Sequence, residues 1–213
     1  KVFQKYRKNI FSQNGEDLIL QRIFKEKSKG FYIDIGAHHP IRFSNTHLFY
    51  KKGWNGLNID AMPGSMKLFN RLRKRDINIE HGIALKTGYL TYYQFNDPAL
   101  NTFNKKEADS KISQNYKIIN STKLKVDRLD TILKKYLPEN ISIDFMSIDV
   151  EGKDMEVVLT NDWDKYRPEY ILIETLHRRN FINKECRISS FLRSKGYEMI
   201  NKAYDTCIFT NNY

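Results

Sequence analysis

Four short apolar runs in this chain carry an acidic residue at or beside their ends: Phe31-Tyr32-Ile33-Asp34-Ile35, Gly56-Leu57-Asn58-Ile59-Asp60, Phe145-Met146-Ser147-Ile148-Asp149-Val150 and Tyr170-Ile171-Leu172-Ile173-Glu174. Apolar runs of this length, bounded by turn residues, read as buried strands. Helical spacing separates them. Leu18, Ile19, Ile23 and Phe24 predict a helix within residues 14–27, and further helices are expected at Met66–Arg73, Arg128–Tyr136, from Met155 to Leu159, and at Ile188–Ser194. Pro138 stops the third of these and Gly196 caps the last. Additional strands are expected at Ile77–Leu85, in the β-rich stretch 88–95, at Lys123–Val126, and as a closing pair, Tyr197–Tyr204 with Thr206–Thr210. Strands alternating with helices predict an α/β fold around a mostly parallel sheet. The stretch Pro98–Asn120 is polar, rich in Asn, Lys and Ser, and reads as an excursion from that pattern.

At 213 residues the chain fits one domain, and 40% hydrophobic residues suffice for a core. Its longest apolar runs are far below the roughly 20 residues that a membrane-spanning helix needs. It opens on Lys1 rather than Met, which fits a domain cut from a longer polypeptide. Lys and Arg total 36 against 25 Asp and Glu, a net charge of +11. Such a charge invites an anionic partner or serves solubility alone. The basic residues are spread out, with the densest cluster at Arg71, Arg73, Lys74 and Arg75. Cys186 and Cys207 are isolated, which argues against a zinc site or disulfide framework and for reduced thiols in the cytoplasm.

In open α/β sheets ligands bind outside the carboxyl ends of the strands, and here those ends carry Asp34, Asp60, Asp149 and Glu174. Any one acid also suits a helix cap; four together favour a site. Asp34-Ile35-Gly36-Ala37 holds a single glycine and lacks the GxGxxG cradle for a pyrophosphate. Asp60, 26 residues beyond Asp34, suits a paired hydrogen bond to two ribose hydroxyls. A nucleoside cofactor without a diphosphate points to S-adenosylmethionine.

Five stretches then carry a family resemblance: Ser12-Gln13-Asn14-Gly15-Glu16-Asp17, Phe31 through Pro40, Ser44-Asn45-Thr46, Gly53 through Ser65, and Ser147-Ile148-Asp149-Val150-Glu151-Gly152. Together they resemble the FkbM-type methyltransferases, over about residues 10 to 180. The resemblance implies a class I methyltransferase (Rossmann-like) sheet, mostly parallel with an antiparallel C-terminal strand and helices on both faces. It also implies S-adenosylmethionine as donor and O-methylation of a hydroxyl, commonly on a sugar of a glycan, lipopolysaccharide or natural product. On that basis Asp34, Gly36 and Ala37 are expected along the methionine and ribose of the donor, and Asp60 and Ala61 at the ribose. Ile83 and Ala84 are expected to flank adenine. Gln13 would close over the methionyl end, or else belongs to a helix start capped by Ser12. Residues 98–120 match least and are read as an acceptor-side insert of a single 1–213 domain, with Lys105, Lys106 and Lys111 meeting the glycan.

A sugar hydroxyl is a poor nucleophile, so a positioned base is expected. The candidates are His38, His39, His177, Asp149 and Glu151. Two readings of Asp149 and Glu174 stay open: ligands to a Mg²⁺ or Mn²⁺ ion that grips neighbouring hydroxyls, or hydrogen-bonding groups for donor and acceptor. Tyr92, Tyr93, Phe95 and Phe103 form either a stacking wall for a sugar or part of the core. A nucleic-acid base methylase is disfavoured, because Asp149-Val150-Glu151-Gly152 stands where such enzymes carry Asn/Asp-Pro-Pro-Tyr/Phe. Methylation of an RNA 2′-hydroxyl or of a natural product is the alternative activity, and a non-catalytic binding module is a third reading.

Overall fold

The computed structural model describes residues 10–175 and 187–211. The first half of the chain contains α1 (Glu16–Ile23), β1 (Phe31–Ile35), α2 (His47–Lys51), β2 (Asn55–Asp60), α3 (Met66–Leu72), β3 (Ile77–Glu80), β4 (Gly82–Ile83) and β5 (Gly88–Phe95). There follow α4 (Lys105–Ser113), β6 (Ile118–Asp127), α5 (Leu129–Tyr136), β7 (Phe145–Ile148), α6 (Asp154–Leu159), β8 (Tyr170–Glu174), α7 (Arg187–Ser194), β9 (Glu198–Ala203) and β10 (Thr206–Thr210). His177 and Cys186 lie outside the described residues.

Seven strands form the main sheet, in the order β3-β2-β1-β7-β8-β10-β9. The pairs from β3 to β8 are parallel, and β10 runs antiparallel to both β8 and β9. This is the Rossmann-like arrangement expected. Along each inner strand, alternate side chains enter two cores. Ile33, Met146, Ile171 and Phe209 pack with Leu133 of α5, Val157 of α6 and Leu192 of α7. Tyr32, Phe145, Leu172 and Ile208 pack with Leu20 of α1, Phe49 of α2 and Trp54. Both faces are therefore covered, which is why these strands read as continuous apolar runs.

Two stretches differ from the sequence reading. The run Ile77–Leu85 is divided at His81: β3 joins the main sheet, while β4 pairs with β6 in a second sheet, β4-β6-β5. Residues 98–120 are structured, with a 3₁₀ turn at Pro98–Leu100, α4, and the first residues of β6. Only the end of β6 was legible, because most of this ten-residue strand is exposed and polar and so lacks an apolar signature.

A buried polar network ties the amino-terminal half together. Arg73, at the end of α3, is fully buried. Its guanidinium donates to Asp76 Oδ2 (2.8 Å), the Pro40 carbonyl (2.9 Å), Tyr32 Oη (2.8 Å) and Thr46 Oγ1 (2.9 Å). Asp76 also accepts from Tyr32 Oη (2.7 Å), the Gly56 N–H (2.9 Å) and Asn58 Nδ2 (3.0 Å). Thr46 Oγ1 in turn donates to Asp34 Oδ2 at 2.8 Å. Arg73 thus leaves the basic cluster in which the sequence placed it. Its neighbour Arg75 stacks on the Tyr50 ring at 3.9 Å, and only Arg71 and Lys74 are free of such packing among the four.

Removing one member of a buried ion pair strands the other charge, typically at a cost of about 3–5 kcal/mol. Arg73→Leu should therefore lower stability by about that amount in urea denaturation, whereas Arg71→Leu, on the exposed side of the same helix, should stay within about 0.5 kcal/mol. Equal, small effects would show that the network does not hold the fold.

Candidate active site

Strand order reverses at β1: the chain runs outward through β2 and β3, then returns to β7 on the other side of β1. The crevice at the carboxyl ends of β1 and β7 is where such sheets take ligands. Gly36, just after β1, makes this crossing tight. Its φ is 78°, and a Cβ there would stand 1.7 Å from the Asp149 carbonyl oxygen. The glycine expected to admit a ligand is thus required first by the neighbouring strand end.

A cleft of about 920 Å³, counted to its open mouth, lies over this crossing. Gly36, His38, Asp60, Ala61, Asp149 and Glu151 line it, with Ile83 and Phe103 among its apolar residues. Asp60 is held firmly: Oδ2 accepts the His38 N–H and Oδ1 the Met62 N–H, each at 2.8 Å. Burial raises its pKa against those two hydrogen bonds. Both oxygens keep a lone pair for a ligand.

Gln13 projects over the cleft from a loop knotted by Ser12 and Asp17. Ser12 Oγ donates to Asp17 Oδ1 at 2.7 Å and accepts the N–H groups of Gly15 and of Asp17 in the first turn of α1, so Ser12 fastens the loop and also caps the helix start. The polar segment 98–120 closes the other side. Asn101, Thr102 and Phe103 line the cleft. Thr102 Oγ1 donates to the Glu151 carbonyl at 2.8 Å, and Asn104 Nδ2 to the Gly152 carbonyl at 3.0 Å. Lys111 is buried in an ion pair with Glu151. Lys111 is therefore a strut of the cleft wall and does not face outward to a glycan, while Lys105 pairs with Asp109 on the surface.

A second pocket, of about 520 Å³, adjoins the cleft and shares Gln13, Phe43 and Asp149 with it. Its walls come from the α1 approach, the Asn45 turn, the ends of β7 and β8, and the β9–β10 hairpin. Among the described residues six that are not glycine have positive φ: His38, Phe43, Asn115, Asn140, Glu151 and Tyr204. The two asparagines tolerate that region. The other four all line these two pockets. Backbone strain of this kind concentrates at functional sites.

At the junction stand Asp149 and Glu174, at the ends of the paired strands β7 and β8, with carboxyl groups within hydrogen-bond reach. Two carboxylates at that distance share a proton instead of both ionising. Asp149 opens onto both pockets yet is crowded by protein atoms, and this desolvation together with Glu174, Glu151 and Asp154 holds its pKa well above the usual carboxylate range. Burial, with Glu151, Asp154 and Asp205 adding to it, pushes Glu174 up to about 7. Of the two readings left open for these acids, the divalent cation is not supported: among the described residues no three His, Cys, Asp or Glu side chains stand together as ligands.

The structure separates the remaining sequence candidates. Gln13, Gly36, Asp60, Ala61 and Ile83 reach the cleft. Asp34 does not line it; this acid is 6% exposed, bound to Thr46, and burial lifts it to about 6, so it fixes the turn from beneath. Ala37 and Ala84 are buried, their N–H groups donating to the Ile59 and Asp127 carbonyls. Of the adjacent histidines, His38 lines the cleft, and burial followed by Arg42 lowers its pKa. His39 turns away; its Nδ1 accepts the N–H groups of Ile41 and Arg42, which makes it a turn brace. Tyr92 and Phe103 pack together with centroids 4.7 Å apart and both reach the cleft. Phe95 is core. Sequence reasoning missed His81, which lines the cleft with Nε2 at 2.8 Å from Asp127 Oδ2. Its position directly after a strand ending in Glu80 was the available signal.

The carboxyl pair carries a stability signature. Glu174 has a folded pKa above its unfolded value, so the folded state binds more protons, and stability falls as pH climbs from the ordinary carboxylate range toward about 7. Glu174→Gln removes this penalty. Its thermal midpoint should exceed that of the parent by about 2–4 °C at pH 8, the shift that about 1 kcal/mol produces at this size, and should match the parent at pH 5. An equal difference at both pH values would mean that the two acids do not share a proton.

A family model described as the methyltransferase FkbM domain matches residues 34–199. No curated protein matches the chain. The matched span runs from the middle of β1 into β9 and takes in both pockets except for the Gln13 loop and the tip of the last hairpin. The chain belongs to the FkbM methyltransferase family.

Proposed function

We propose that this FkbM-family methyltransferase uses S-adenosylmethionine to methylate a sugar hydroxyl of a glycan or glycoconjugate. The observation that carries the reading is the pairing of two pockets across Asp149: one with the fittings for a nucleoside, the other smaller and polar. The donor fits the larger cleft. Asp60 offers a rigid, doubly braced carboxylate for the ribose hydroxyls. Ile83 and Phe103 supply an apolar flank for adenine, and Gln13 stands where a polar methionyl end would need a partner. The single glycine of the β1 turn suits a ligand without a diphosphate.

When bound, the sulfonium supplies a methyl group, which passes to the acceptor oxygen while the sulfur leaves as a neutral thioether. The chain's own contribution is placement and proton removal. Asp149 faces both pockets, so a hydroxyl seated in the smaller one has a carboxyl at the boundary to take its proton. Glu174 tunes that carboxyl by sharing a proton with it. Segment 98–120, read from sequence as acceptor-side, lines the larger cleft through Asn101, Thr102 and Phe103, and in this reading it helps to enclose the donor.

Hydrogen bonds to a charged group contribute about 1.5–3 kcal/mol each. Asp60→Ala should therefore weaken S-adenosylmethionine binding at least about tenfold in isothermal calorimetry, with the circular dichroism spectrum preserved. Near-parental affinity would remove Asp60 from the donor site.

The base must be deprotonated, so kcat should rise with pH through an apparent pKa well above the ordinary carboxylate range, where burial and Glu174 hold Asp149. In Glu174→Gln, Asp149 loses its like-charged neighbour, and the acid limb should move to lower pH. His38→Gln should leave the limb in place. If instead the limb disappears only in His38→Gln, the imidazole is the base.

A further inference from the structure

We propose that the smaller pocket is the acceptor subsite and that it selects a sugar ring bearing hydroxyl or amino groups and no negative charge. This rests on the sugar-methylation reading above. The pocket meets the donor cleft along Gln13, Phe43 and Asp149, so a ligand within it abuts the end of the cleft where the carboxyl pair stands.

Its lining is charged in one sense only. Glu16, Asp149, Glu174 and Asp205 contribute four carboxyl groups, and no Lys, Arg or His lines the pocket among the described residues. This contrasts with the chain as a whole, at +11. Glu16 is internally satisfied: Oε2 accepts the Asn14 N–H, and Oε1 accepts Thr206 Oγ1 at 3.1 Å. Among the described residues, buried Glu174 Oε2 meets no donor beyond the proton this acid shares with Asp149, and the pair so joined keeps a negative charge that a hydroxyl or an ammonium group can satisfy. A carboxylate or phosphate on the reacting ring would bring like charge against these groups.

The rim supplies the other half of sugar recognition. Phe43 and Tyr204 are 42% and 76% exposed, unusual for rings, and both have positive φ. Strained, solvent-facing aromatics on opposite elements of one polar pocket give flat apolar surfaces for the C–H faces of a pyranose. The net positive surface attracts an anionic polymer as a whole; the pocket decides which of its rings reacts.

The test measures transfer of radiolabelled methyl from S-adenosylmethionine to methyl glycosides in the glucose, galactose and mannose series, each as neutral hexose, amino sugar and uronic acid. Donor affinity is measured separately by calorimetry. The expected result is a KM at least about tenfold lower for the neutral or amino form than for the uronic acid of the same series. Asp205→Asn should narrow that gap while donor affinity is kept. Preference for the uronic acid, or an Asp205→Asn gap equal to the parental one, overturns the inference and leaves sugar methylation standing. Donor binding with no glycoside methylated, and label passing instead to RNA, overturns sugar methylation itself and the inference with it.

Discussion

The buried ion pair between Arg73 and Asp76 is the constraint on which the rest of this molecule depends. A guanidinium with no exposed surface must spend all its donors inside the protein. Here they reach β1 through Tyr32, the start of α2 through Thr46, and the turn after β1 through the Pro40 carbonyl. Asp76 returns the connection to β2 through Gly56 and Asn58. Two strands and two helix ends are thus drawn to one point beneath the site. Asp34 is the upper member of this network, which explains a strand-end acid that does not line the cleft.

Above the network, the site is shaped by close approach and by strain. Gly36 lets the β1 turn touch the backbone at Asp149, so the strand ends at the switch point lie against each other. The turns on either side then take up left-handed conformations at His38 and Glu151. Segment 98–120 holds the second of these by gripping the Glu151 and Gly152 carbonyls and burying Lys111 against Glu151. A helix that seems peripheral in sequence therefore supports the strand end that carries Asp149.

Much of this was legible from residues alone. The four acid-ended runs located β1, β2, β7 and β8, and their alternation with helices implied the parallel sheet. Asp60 was identifiable because its role depends on its place at a strand end. Other features were hidden for physical reasons. The first half of β6, residues 118–122, reads as loop in sequence, because its side chains are exposed or half-buried and carry no apolar alternation. His38 and His39 are neighbours in sequence, and only the left-handed turn at His38 sends one ring to the cleft and the other to brace the loop. Arg73 looked like one of four surface cations, because burial of a charge depends on partners that are distant in the chain.

The sequence by itself determined the strand and helix pattern, the acids at the strand ends and the family resemblance. These properties are local, since hydrophobic periodicity and motif spacing are written within a few tens of residues. Tertiary structure alone decided which acid serves the cleft and which the scaffold. Asp34 and Asp60 end neighbouring strands with equal prominence in sequence, yet one is tied down by Thr46 and the other opens onto the cleft. It also brought Glu16, Glu174 and Asp205 from distant segments into one pocket. Whether a carboxylate is a brace, a proton carrier or a ligand contact depends on its neighbours in space, and those are set by how the sheet closes.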